Sequence, residues 1–149
     1  MDRREWCELT NLCLLSRDGK VLLQNRVKKD WQGYALPGGH VEPGESIVDS
    51  CIREMREETG LTVKEPKLCG VKQFPIEGGR YLVFLFKADT FEGTLRSSQE
   101  GKVEWVELDS LGEYPTVMHL KELIDVMLSD NLHEFQYILE GEDWIPVLR

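Results

Sequence analysis

Apolar residues along the chain follow two periods, one suited to strands and one to helices. Trp6–Leu15 reads as a strand of mixed burial, Arg17-Asp18-Gly19-Lys20 has the composition of a hairpin turn, and Val21–Arg26 reads as the returning strand. Leu68–Phe74 and Arg80–Ala88 form a further strand pair around Gly78-Gly79. Within it the run Tyr81–Phe86, YLVFLF, is apolar on both faces and predicts a central strand. Val103–Leu108 and Phe135–Leu139 predict two more, with Trp144 expected to pack. The helical period appears twice. After a Pro43-Gly44 turn, Ser46 stands at an N-cap position with Asp49 three residues on, so a helix starts near Ile47. Val48, Cys51, Ile52, Met55 and Thr59 give it one apolar stripe, and Gly60 supplies the left-handed residue that stops it. Pro115 opens the second helix, with Val117, Leu120, Leu123, Ile124, Met127 and Leu128 toward the core.

On the first helix, at about 100° per residue, Glu54, Glu57 and Glu58 share a face apart from the stripe. Like charges one turn apart repel and raise one another's pKa values, so the cluster calls for a cation. Oxygen-only ligands without a nearby cysteine suit a hard ion, and Mg²⁺ commonly combines a few carboxylates with water and substrate phosphates. A solvated acidic face is the alternative reading of an isolated acidic run. The spaced glycines, Glu45 and Arg53 turn the balance toward a metal site. Arg53 would orient a glutamate, with Glu57 at i,i+4 its expected partner, while Glu45 accepts hydrogen bonds that fix the preceding loop.

A chain of 149 residues with near-average hydrophobic content predicts a single domain over residues 1–149. The net charge of −9 argues against nucleic-acid polymers and anionic membranes, which are bound through clustered Lys and Arg. A small phosphate ester is compatible with it, because a bound cation reverses the local field. No signal-like segment or long apolar run is present, which predicts a cytoplasmic protein. Cys7, Cys13, Cys51 and Cys69 lack zinc-site or disulfide-framework spacing and are expected to be buried free thiols. Nothing in the sequence sets the oligomeric state.

Residues 39–61 read Gly39, five residues, Glu45, seven residues, Arg53-Glu54, Met55, one residue, Glu57-Glu58, one residue, Gly60, Leu61. This pattern resembles the box of the Nudix hydrolase family at every specified position. The resemblance implies an α/β fold, an α/β/α sandwich with a mixed central sheet and a loop-helix-loop metal site. It also implies Mg²⁺-dependent hydrolysis of a nucleoside diphosphate linked to another group, with Mn²⁺ as a substitute ion and a small nucleotide as the binding partner. By the same resemblance the Gly39 carbonyl joins Glu54, Glu57 and Glu58 at the metal. Arg26 is similar in position to a phosphate-contacting arginine of MutT-like members. Glu100, in the loop before the Trp105 strand, matches an acidic residue that completes the metal site or acts as base, with Glu104 as its rival. Where MutT-like members place an aromatic before Pro-Gly-Gly and an asparagine near the late helix, this chain has Leu36 and Thr116-Val117-Met118-His119. Trp31 and Tyr34 are the stacking groups left to hold a base. The expectation is a purine nucleoside triphosphatase, oxidised purines included, with loose base selection. The alternatives are a hydrolase of ADP-ribose or dinucleoside polyphosphates, and a module that senses a nucleotide without cutting it.

Overall fold

A computed structural model describes all 149 residues. Its frame is a strongly paired mixed sheet. Strand β1 (Trp6–Arg17) turns through Asp18-Gly19 into β2 (Lys20–Arg26). Short strands β3 (Gly33–Ala35) and β4 (Gly38–His40) lead into helix α1 (Ile47–Thr59), followed by β5 (Leu61–Lys64). Then come β6 (Lys67–Ile76), β7 (Gly79–Ala88), β8 (Thr90–Gly93), β9 (Gly101–Glu107), a 3₁₀ turn over Leu108–Glu113, α2 (Leu120–Leu128) and the hairpin β10 (Glu134–Glu140) and β11 (Asp143–Leu148). The sheet runs β11-β10-β6-β7-β1-β2-β3, with β4 on β1 and β9 on β2, while β5 and β8 form a separate pair. The YLVFLF strand is central, lying parallel to β1 and antiparallel to β6.

Strand alternation divides the interior into two layers. Leu14, Val21, Leu23 and Leu85 face one side, where Leu120, Leu123, Ile124 and Met127 of α2 cover them. Their neighbours Cys13, Leu15, Leu22 and Phe86 face the other, against Cys51 and Met55 of α1. Helices on opposite faces of a mixed sheet make the expected sandwich. No helix is long and apolar enough to cross a membrane.

Several local expectations change. The second helix begins at Leu120, because Pro115 and Val117 are committed to the sheet: the Tyr34 N–H donates to the Pro115 carbonyl and the Val117 N–H to that of Tyr34. His119 is the left-handed residue before α2, with Nδ1 2.7 Å from the Tyr137 hydroxyl. The segment read as a loop between Ala88 and Val103 contains β8, whose partner β5 lies directly after α1. The tail forms a second strand, β11, that carries Trp144 against Phe74 and Tyr137.

Candidate active site

Helix α1 starts and stops where its sequence predicts. The Asp49 N–H donates to Ser46 Oγ at 3.2 Å, and Gly60, at φ 80°, donates to the Arg56 carbonyl. Its buried face differs from the predicted stripe: Val48 is 43 % exposed, and Ser50, Cys51, Met55, Glu58 and Thr59 are buried. The three glutamates therefore do not share one solvated face. Glu58 is 7 % exposed, the Glu54 side chain 14 %, and that of Glu57 58 %. The row turns from β4 out to solvent.

The glycines that precede the helix make this burial possible. Gly38 and Gly39 are not turn residues but strand residues, paired with Leu12 and Asn11. A Cβ on Gly38 would stand 2.1 Å from the Asn11 carbonyl oxygen, and one on Gly39 2.4 Å from the Glu54 carboxyl carbon. Close approach, not turning, is their use. The Gly38 N–H donates to Glu58 at 3.0 Å. Burial, followed by the charges of Glu54 and Glu100, pushes the Glu58 carboxyl up to about 7 despite that hydrogen bond. Burial likewise raises Glu54, against the pull of Arg53.

Arg53 is the hub of the loop. Its guanidinium donates side-on to Glu45, Nε at 2.8 Å and Nη2 at 3.0 Å, and also to Glu54 at 3.0 Å, Glu57 at 3.2 Å and the His40 carbonyl at 2.9 Å. The i,i+4 contact with Glu57 exists, yet the two-pronged grip on Glu45 is the stronger geometry. Glu45 in turn accepts from the Glu42 N–H at 3.0 Å, and Arg53 holds its carboxyl down at about 2.

Beside Gly38 and Gly39 opens a cavity of about 410 Å³, within the range of small-molecule sites. Arg26 and Trp31 line it together with Asn11, Tyr81, Phe74 and Lys72. Arg26 Nε and Asn11 Oδ1, both on this wall, are buried without a partner. Both atoms are themselves out of reach of solvent, an orphaned donor and an orphaned acceptor beneath the cavity wall. Tyr34 does not line the cavity: its hydroxyl donates to Glu104 at 2.5 Å and its ring meets Tyr114 edge-on. That contact also ties down Glu104, whereas Glu100 stands at the end of β2, where it pairs with Lys28 at 2.9 Å and reaches Glu58 electrostatically. Asn11, Lys72, Phe74 and Tyr81 were not singled out from the sequence. A polar residue inside the apolar run LTNLCLL was a visible signal for Asn11; Lys72 offered only its period-2 spacing from Phe74.

The side chains do not bring three acidic or histidine groups into one ready ligand sphere. Glu54 and Glu57 turn to Arg53 and Glu58 to the Gly38 N–H. The donor set nevertheless fits a hard cation. Glu57 raises Glu54, though less than Arg53 lowers it, while Glu54 and Glu100 raise Glu58 more than Arg26 lowers it, so the negative field of these carboxylates is left uncompensated at Glu58.

A family model described as the NUDIX domain matches residues 9–127. The chain is 38 % identical to the uncharacterized Nudix hydrolase YvcI of Bacillus subtilis over 87 % of each chain. It is 35 % identical to an ADP-ribose pyrophosphatase of Methanocaldococcus jannaschii over 66 % of this chain and 60 % of that one. Identity is 34 % with an oxidized purine nucleoside triphosphate hydrolase of Danio rerio, over 70 % and 69 % respectively. Among solved structures, a mutator MutT protein from Bacillus halodurans superposes with a TM-score of 0.77 at 34 % identity, covering 95 % of this chain and 96 % of the other. The residues of the box, the sheet that carries them and these likenesses agree: the chain belongs to the Nudix family, as a MutT-like Nudix hydrolase.

Proposed function

We propose that the chain is a Mg²⁺-dependent pyrophosphohydrolase that converts a nucleoside triphosphate, oxidised purines included, to the monophosphate and pyrophosphate. The observation that carries this reading is the cavity, which runs from Gly38-Gly39, the pair against which Glu58 and Glu54 pack, to an aromatic wall at Phe74 and Tyr81. Gly39 lies on β4 and Phe74 on β6, with β7 and β1 between. At strand spacing that path is about 14 Å, the reach of one nucleotide with its phosphates. The M. jannaschii relative favours ADP-ribose as a second substrate class.

Glu54, Glu57 and Glu58, with the Gly39 carbonyl, are the groups that would hold Mg²⁺, which when bound supplies charge neutralisation at the diphosphate and a more acidic water. Arg26, on the cavity wall, is the residue placed to contact a phosphate. Glu100 takes the proton of the attacking water or completes the metal site; the new P–O bond forms as the anhydride P–O bond breaks, and the pair of electrons leaves with pyrophosphate. Arg53 and Glu45 touch no substrate and position Glu54 and Glu57. Trp31, half-exposed on the cavity wall, can stack on a base. The test is turnover by purified protein with Mg²⁺ against a panel of canonical and 8-oxo nucleoside triphosphates, ADP-ribose and dinucleoside polyphosphates. Pyrophosphate release from triphosphates supports the proposal; turnover confined to ADP-ribose or dinucleotides, or none, refutes it.

A further inference from the structure

The wall of the cavity farthest from the carboxylates carries a cation that the reaction does not use. Lys72 sits on β6 beside Val83 of β7 and Phe135 of β10. Its ammonium lies over three rings, 5.2 Å from the centroid of Tyr137, 5.3 Å from Phe135 and 5.8 Å from Phe74. Phe135 is fully buried, and Phe74 is locked by stacking on Tyr81 at 4.7 Å. No carboxylate, carbonyl or amide accepts from Lys72; burial is the only influence on it and pulls its pKa down to about 8. Ring faces attract an ammonium but do not accept its three N–H bonds as oxygens do. A largely buried donor without an acceptor is costly, and lining the cavity gives it one outlet.

We propose that Lys72 is a specificity-determining residue, selecting nucleotides whose base presents a carbonyl oxygen, such as hypoxanthine, guanine or an 8-oxopurine, over bases that present an amino group there. The assignment rests on the reading above that a nucleotide lies with its phosphates at Gly38-Gly39. With the phosphates there, a nucleoside reaching across β1 and β7 brings its base to β6. An ammonium only donates, so it rewards a carbonyl acceptor and opposes an amino group, itself a donor. A phosphate partner is disfavoured by position, because the carboxylate end of the cavity lies three strands away.

Inosine and adenosine nucleotides differ at C6, oxygen in one and amino in the other, and with it at N1, which carries a hydrogen only in inosine; their monophosphates lack the anhydride bond that the reaction cleaves. Calorimetric titration of the full chain with IMP and with AMP, in the absence of metal, measures the choice directly. Wild type should bind IMP at least about tenfold more tightly than AMP, as expected when one hydrogen bond to a partly buried donor is at stake. Lys72→Met, close in volume and able to occupy the same aromatic cage, should bring the ratio to within about twofold, and Lys72→Arg should keep part of the preference. Equal binding of the two by wild type overturns the assignment, and so does a preference that survives in Lys72→Met. A uniform loss for both ligands in that variant would place the ammonium on phosphate or ribose and refute base selection. Failure of wild type to bind either nucleotide refutes it as well. Selective IMP binding by a chain that hydrolyses no triphosphate would refute the proposed reaction and leave Lys72 as the base selector.

Discussion

The two ends of the cavity are built on opposite principles. At the carboxylate end, all groups but Glu100 and Arg26 sit within the span from Gly38 to Gly60, each glutamate of that span's cluster has a hydrogen-bond donor, and Arg53 ties the loop to the helix. At the far end Lys72, Phe74, Tyr81, Phe135 and Tyr137 come from three strands and are held by ring packing, and the only cation has no acceptor. The first, the proposed reactive centre, is over-determined by polar contacts, so its charges are fixed before a substrate arrives. The second gives up stability for a donor that the protein itself leaves without an acceptor. Substitutions at one end should therefore cost activity without much stability, and at the other should trade selectivity for stability.

The largest effect is expected at the carboxylates. Glu57→Gln should lower kcat by about a hundredfold or more, since a lost ligand charge removes stabilisation needed in the transition state. Glu57 is the exposed member of the row, so its melting temperature should stay near wild type. Near-normal turnover would break the comparison at its stronger side.

Next is the choice between two acidic residues. Glu100→Gln should reduce kcat roughly tenfold with a smaller change in KM, as removal of an assisting base does. Glu104→Gln should leave kcat within about threefold, because its carboxylate serves the Tyr34 hydroxyl. The opposite ranking in steady-state kinetics would transfer the role.

A smaller effect concerns metal and folding. Mg²⁺ binding only the folded chain at about ten times its Kd should stabilise it by about 1.4 kcal/mol, a rise of a few degrees in Tm by calorimetry. Glu54→Gln should reduce that rise and melt above wild type in chelator, because one repelling carboxylate is gone. A midpoint insensitive to Mg²⁺ in an active protein would show that the cluster is not strained.

The smallest effect sharpens the other end. Lys72→Met should stabilise the chain by about 1 kcal/mol near pH 7. The folded-state pKa of Lys72, about 8, lies below its ordinary value of 10.5, so the unfolded chain holds the proton more tightly. The cost of the buried charge is therefore present in full below pH 8 and declines as pH rises through 8 toward 10.5. Tyr81 and Tyr137, which face Lys72 from β7 and β10, are both held above the usual phenol value; Glu8 of β1 and Arg26 of β2 are the other charged groups that line the cavity. Chemical denaturation at pH 7 and pH 9.5 should show the variant's advantage shrinking. An advantage that grows with pH would contradict the buried-ammonium account.

The sequence by itself determined the helix of the box, its caps at Ser46 and Gly60, the central strand Tyr81–Phe86 and the family, because each is written in residues adjacent along the chain or one turn apart. Periodicity read the covering face of α2 and misplaced its start, since Pro115 and Val117 answer to Tyr34, a residue far away in the chain. It gave the carboxylates of α1 a common face, but which of them is buried depended on how closely β4 approaches, and that was fixed by the missing Cβ atoms of Gly38 and Gly39 against Asn11 and Glu54. Only the tertiary structure decided the far end of the cavity. A lysine on a strand reads as an ordinary solvated charge until sheet order places Phe74, Phe135 and Tyr137 around it, and no local pattern encodes which strands become neighbours.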